Sequence, residues 1–421
     1  MTTDSKPAFF AGIDWATQKH DVCVIDSEGR VLGERVFRAD AEGLGDLAGW
    51  VASFEGDAGD IWIAIETPHG AVVDTLLERD LRVHSLNPKQ LDRFRDRFTV
   101  SGAKDDRRDA RVLADSLRTD LRAFRVLSVI DPRVIELREY WRMTEDLQHD
   151  RNRQCNRLRE QLRRYFPQAL EVETDLSKPW VLDLLTEIPT PAIARKRRRA
   201  TVDRILRTRR IKRVTADEVL ATLRKPAVCT APGIVEAATA HVKKLIEQLR
   251  LTVRQHAECR RALDHILAQL AEHDAGDGRA GELRDAAIMR SFPGIGTIVQ
   301  TALLAGGSRP VEARDYHALR ALMGIAPVTR RSGKRRQVLM RQACDSRMRN
   351  AAYHWARVAS QRDPHWRALY KALRKRGHGH GRACRGVTDR MLSVLVVMLQ
   401  TRTTYDPTRL GQKLSVSASA A

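Results

Sequence analysis

The sequence predicts an α/β N-terminal domain on a mixed sheet, then a long helical middle and a mainly α C-terminal domain. Three observations carry this. Residues 8–125 alternate short apolar runs with amphipathic stretches, residues 131–272 repeat apolar side chains at three- and four-residue steps, and 421 residues exceed one ordinary core.

In the first segment, FFAGIDW, HDVCVID and VLGERVF read as three strands, the last two joined as a hairpin at SEGR. AEGLGDLAGWVASF predicts a helix, IWIAIET a buried strand, AVVDTLLERD a second helix and LRVHSLN a fifth strand; KDDRRDARVLAD opens a further helix. Three strands, helix, strand, helix, strand, helix is the layout of an RNase H-like domain. It sets Asp14 at the end of the first strand, Glu66 at the end of the fourth and Asp106 with Asp109 at the start of the last helix, and in such a fold these places converge.

The middle, 131–287, carries two apolar stripes. Val134, Leu137, Trp141, Leu147, Cys155, Leu158, Leu162 and Phe166 form one, and Val242, Leu245, Leu249, Val253, His256, Leu263, Ile266 and Leu270 the other. Narrow stripes of this length predict an antiparallel pair or an intermolecular coiled coil. Between them, residues 195–213 hold eleven basic residues and one acid, a density suited to phosphate contacts, with Arg197, Arg198, Arg209 and Arg210 as candidates. The third segment, 288–402, opens with Pro293-Gly294-Ile295-Gly296 before a helix, like a helix-hairpin-helix turn whose amides at Gly294 and Gly296 meet a phosphate. Residues 403–421 read as a tail.

A formal charge of +21 points to a polyanionic partner, nucleic acid first. A membrane is excluded: MLSVLVVMLQT is too short to span one and reads as a buried helix, and the N-terminus has no signal-peptide pattern, so a cytoplasmic location is expected. The six cysteines form no C-x-x-C pair, and GHGHGRAC, with His378, His380 and Cys384, reads as a glycine-rich loop rather than a zinc site.

Asp14, Glu66, Asp106 and Asp109 form a constellation of acids, the last two on one helix face at a three-residue step. Four clustered carboxylates repel unless cations lie between them, so the grouping predicts a Mg²⁺ (or Mn²⁺) site able to activate the attacking oxygen and stabilise the leaving oxygen of a phosphodiester. Asp105 is an alternative to Asp106, Asp115 reads as a solvated helix acid, and Trp15 as core beside the site.

GIDWA at 12–16, AIETPHG at 64–70 and KDDRRDARVLAD at 104–115 resemble the RuvC-like domain of the DEDD insertion-sequence transposases, the family guided by a bridge RNA. FPGIG at 292–296 and YHALRALMGIAPVTRRSGK at 316–334 resemble that family's second domain; Ala343-Cys344 stand where similar proteins usually show a glycine. The resemblance implies that Asp14, Glu66, Asp106 and Asp109 are the catalytic acids and Ser332 the nucleophile. It further implies DNA partners (element ends and target), a structured guide RNA, and a dimer or tetramer with a composite site. Arg330, Arg331, Lys334, Arg335 and Arg336 would hold the scissile phosphate beside Ser332. Two other readings stand: a RuvC-like structure-specific nuclease using water on the same acids, and a non-catalytic nucleic-acid-binding scaffold, which leaves the acids unexplained.

Overall fold

The computed structural model describes residues 7–54, 61–95, 106–127, 131–231, 233–272, 284–332 and 335–408. The chain divides into two compact units, 1–131 and 132–421.

Unit 1 contains β1 (Phe9–Trp15), β2 (Lys19–Asp26), β3 (Val31–Arg38), α1 (Ala41–Ala52), β4 (Ile61–Ile65), α2 (Ala71–Glu78), β5 (Arg82–Ser85), α3 (Pro88–Arg95), α4 (Asp106–Thr119) and β6 (Arg125–Val126). The strands form one mixed sheet in the order β3-β2-β1-β4-β5-β6, with β1 antiparallel to β2 and parallel to β4. The five expected strands are present. The sixth, β6, is two residues long and pairs antiparallel with β5, too short to show a periodicity.

Alternation along the strands sorts side chains onto two faces. Ala11, Ile13, Val22, Val24 and Ile63 pack with Leu47 and Val51 of α1 and Leu76 of α2. Phe10, Cys23, Trp62 and Ala64 pack on the other face with Ala110, Leu113, Ala114 and Leu117 of α4. Each fully buried Leu or Ile contributes roughly 1.5–3 kcal/mol. Burial pushes the Cys23 thiol up to about 12, so it packs as a neutral apolar group.

Gly12 sets how closely α4 approaches. A Cβ there would lie 1.9 Å from the Ala110 carbonyl oxygen and 2.6 Å from the Ala114 amide nitrogen, so backbone meets backbone. Glycine at 12 with alanines at 110 and 114 seats the helix directly on β1.

Unit 2 begins with α5 (Pro132–Tyr165), continues through α6 (Ala169–Val172), α7 (Pro179–Glu187), α8 (Pro191–Lys196), α9 (Arg199–Thr208) and α10 (Ala216–Leu223), and returns along α11 (Ile234–Ala271). There follow α12 (Asp285–Ser291), α13 (Thr297–Thr301), α14 (Ser308–Glu312), α15 (Tyr316–Leu322), the hairpin β7 (Val328–Ser332) and β8 (Arg335–Leu339), then α16 (Ser346–Arg362), α17 (Pro364–Lys375) and α18 (His380–Thr401).

The predicted stripes on α5 and α11 pack on each other within the chain. At one end Leu137 and Trp141 share a core with Leu263 and Ile266. At the other, Leu158 and Leu162 share a second core with Val242, Leu245 and Leu249. The pair is therefore antiparallel. Helices α6–α10 fold onto the second core, with a capping box at Thr215 and Glu218 starting α10.

The expected segments 131–287 and 288–402 share one unit, because Leu137, Trp141 and Leu263 lie in the same core as Phe292, Trp355, Trp366 and Leu395. The apolar run near the C-terminus lies in α18 and is buried there, and no helix among the described residues is long and apolar enough to cross a membrane. The tail read from 403 is anchored at its start, where the Tyr405 ring sits 4.7 Å from that of Phe292 and its amide donates to Ser291 Oγ at 2.9 Å. Residues 409–421 lie outside the described residues.

Candidate active site

Parallel pairing ends with Ile13 opposite Ile65, so Asp14, the next residue of β1, and Glu66, the first residue after β4, both stand at that end of the sheet. Asp14 shares a face with Gly12, so its side chain leaves the sheet on the α4 side. Asp109 immediately precedes Ala110, the residue Gly12 touches, and is 3% exposed. Three of the four expected acids thus approach one end of β1. Asp106 is the first residue of α4; its side chain, and all of Asp105, lie outside the described residues. Asp115 is paired with Arg118 at 2.6 Å rather than solvated.

Trp15 is not core: it is 44% exposed. Alternation turns it to the face opposite Asp14, and β4 pairing stops at Ile13, so no neighbouring β4 residue covers it.

A fourth acid at this place escaped the sequence reading. Asp21 pairs directly across from Asp14 in the β1–β2 ladder, is 3% exposed, and meets Lys19 Nζ at 3.1 Å. Cross-strand partners share a face, so Asp21 belongs to the same acidic surface. An acid inside a strand that is otherwise buried, HDVCVID, was the available signal.

The electrostatics are organised around Arg95. Its Nε and Nη2 donate to the two carboxylate oxygens of Asp109 at 2.8 and 2.7 Å, and Nη1 donates to Asp92 at 2.7 Å. Burial disfavours the Arg95 charge, but Asp109, Asp92 and Glu66 outweigh it and hold the guanidinium above its usual pKa. A cation therefore already stands among these acids.

Among the described residues no three His, Cys, Asp or Glu side chains are close enough to hold a metal ion together. Asp14, Glu66 and Asp109 carry carboxylate oxygens, the donor type Mg²⁺ selects, and Arg95 is held charged beside Asp109 and Glu66.

Ser332 closes β7, paired in register with Arg335 of β8. It is exposed, and its hydroxyl has no hydrogen-bond partner among the described residues. Arg331 lies directly opposite Arg336, an unfavourable like-charge pair that an anion would relieve. Arg330 is exposed in the same strand, while Lys334 and the Arg335 side chain lie outside the described residues. After the hairpin, Arg349 Nη2 donates to the carbonyls of Arg341 and Gln342 at 3.0 and 3.1 Å and to Cys344 Sγ at 2.6 Å, so a cysteine pins this loop.

The other candidate contacts divide. Arg197 meets Glu187 at 3.1 Å and Arg209 meets Asp183 at 2.8 Å, so both close ion pairs within the lobe. Arg198 and Arg210 are exposed with no ion pair among the described residues. Gly294 has φ +84°, and a Cβ there would meet the Trp355 carbonyl at 2.9 Å; packing against α16 explains it. Gly296 is exposed at the start of α13. His380 is engaged by two tyrosines, with Tyr370 Oη 2.8 Å from Nδ1 and Tyr353 Oη 3.1 Å from Nε2.

A family model for the IS110-type DEDD transposase matches residues 11–167, and one for the "Transposase IS116/IS110/IS902 family" matches residues 286–371. The "Mini-circle putative transposase for IS117" of Streptomyces coelicolor is 32% identical over 410 residues, covering 95% of this chain and 96% of that protein. The chain belongs to the IS110/IS116/IS902 family of transposases. A second transposase relative, "Putative transposase y4uE" of Sinorhizobium fredii, is 46% identical over 269 residues, 63% of this chain and 72% of the relative. In this transposase the acids lie within the first matched stretch and Ser332 within the second, with residues 168–285 between them.

Proposed function

We propose that this transposase cuts and rejoins DNA through a covalent Ser332 intermediate, with Asp14, Glu66, Asp106 and Asp109 holding Mg²⁺ or Mn²⁺. The observation that carries this reading is the like-charged ribbon around Ser332. Arg331 and Arg336 face each other across a two-stranded hairpin whose tip bears a solvent-facing hydroxyl, an arrangement that favours a bound phosphate.

In the reaction, Ser332 Oγ forms a bond to phosphorus as the bond from phosphorus to a sugar oxygen breaks. The hydroxyl proton passes to solvent, and the departing sugar hydroxyl takes one up. Attack of a sugar hydroxyl on the phosphoserine reverses the step and rejoins DNA. Arg330, Arg331 and Arg336 orient the phosphate and offset its charge in both directions. A divalent ion bound by the acids would supply Lewis-acid polarisation of the phosphodiester. Guidance by a structured RNA and a composite site in a dimer or tetramer follow from the family resemblance and complete the proposal.

The test is a covalent adduct. Wild-type protein with Mg²⁺ and element-end DNA should give protease-sensitive DNA that migrates with protein after denaturation, and Ser332→Ala should give none while still binding DNA. Equal cleavage by both proteins, with no adduct in either, would leave the acids acting with water as nucleophile.

A further inference from the structure

A cavity of about 400 Å³ opens between α16, α17 and the first turn of α18. Arg357, Ser360, Tyr370, Lys371, His380 and Cys384 line it, and no carboxylate does among the described residues. Its size is in the range that takes small organic ligands, roughly 300–1,000 Å³.

Four features describe an occupant. The Tyr370 ring and the buried Cys384 give the slot an apolar wall. The Tyr370–His380–Tyr353 bridge ties the three helices together and fixes that wall in place. Arg357 and Lys371 are exposed at the cavity and have no ion pair among the described residues. Finally, Ser360 Oγ is buried beside the slot without a hydrogen-bond partner. The occupant therefore combines a planar apolar body, a hydrogen-bonding edge and a negative charge.

We propose that this cavity receives one unstacked nucleotide of a DNA strand, its base against Tyr370 and Ser360 and its phosphate between Arg357 and Lys371. Aromatic walls with cationic rims hold single strands in this way, since every base has a π-face and the backbone supplies the anion. A base in duplex DNA is already stacked and does not enter. The choice of DNA rests on the transposase reading, and the pocket adds to it a place to hold a strand that has left the duplex.

The experiment is metal-free binding of a fluorescein-labelled thymidine 12-mer to the full chain across a salt series. The Arg357→Gln/Lys371→Gln variant should keep its melting temperature, bind about 10-fold more weakly, and show a log affinity against log salt slope smaller by roughly one. An abasic 12-mer should bind wild type several-fold more weakly than the thymidine 12-mer does. Unchanged affinity and slope in the variant, equal binding of the abasic strand, equal competition by a duplex of the same length, or preference for a uridine 12-mer would each overturn the proposal. Because no metal is present, a missing Ser332 adduct would remove the proposed chemistry and leave this result standing.

Discussion

Arg95 grips both carboxylate oxygens of Asp109, at 2.8 and 2.7 Å, inside the acidic end of the N-terminal sheet. Under the proposed metal-binding role of Asp109, a metal ion would have to compete with this guanidinium for the carboxylate. Arg95→Ala should lower metal-free stability by about 3 kcal/mol, the scale for removing one partner of a buried pair. It should also tighten Mn²⁺ binding in calorimetry. Weaker or unchanged Mn²⁺ affinity would show that Asp109 is not a ligand.

Gly12→Ala places a methyl group where only 1.9 Å separates it from the Ala110 oxygen. The α4 helix has to shift, at a cost of about 3 kcal/mol or more, and Asp109 moves with it. Chemical denaturation should report the loss, and cleavage should fall even where the variant is fully folded.

On the hairpin, Arg331→Gln with Arg336→Gln removes a like-charge pair. Stability should hold or rise slightly while duplex binding weakens, with the salt slope falling by about 1.8 if each arginine contacts one phosphate. A preserved slope would mean that neither arginine meets the backbone.

In the helical lobe, Arg198 and Arg210 should behave differently from Arg197 and Arg209. Neutralising the first two should weaken nucleic-acid binding at constant melting temperature. Replacing Arg209 by Gln should lower the melting temperature by no more than about one or two degrees, because the ion pair is half exposed and Asp183 keeps Arg250 at 2.9 Å as a partner.

Alkaline titration tests the C-terminal core. Burial, and then the hydrogen bond to Asp389, push the Tyr316 hydroxyl up to about 12. Its usual value is near 10. A raised folded pKa contributes stability that is complete below pH 10 and is lost as pH climbs toward 12. Tyr316→Phe should flatten the decline in melting temperature over that window, leaving the parts due to Tyr405 and Cys23, which burial raises to about 12, and to Tyr165, which burial also raises.

The strands of unit 1 were legible because FFAGIDW and HDVCVID are nearly continuous apolar runs, as strands covered on both faces require, and strand ends located Asp14 and Glu66. Asp21 was hidden, since an acid inside a strand acquires meaning only once register sets it opposite Asp14. The Arg95–Asp109 contact joins residues 14 apart on two helices, and sequence spacing does not encode how those helices cross. Charge density pointed to the basic run at 195–213, yet which arginines are spent on ion pairs depends on Glu187 and Asp183, brought near only by folding.

The two separate cores along α5 and α11 have an evolutionary consequence. The α6–α10 lobe closes over its own apolar cluster, and Leu137 and Trp141 near the opposite end of α5 belong to another. Mutations in the lobe are therefore buffered from the fold that carries Ser332, as long as the two long helices hold their register. Substitutions that alter the lobe's apolar volume or surface charge can accumulate there without unseating the core around Phe292 and Trp355.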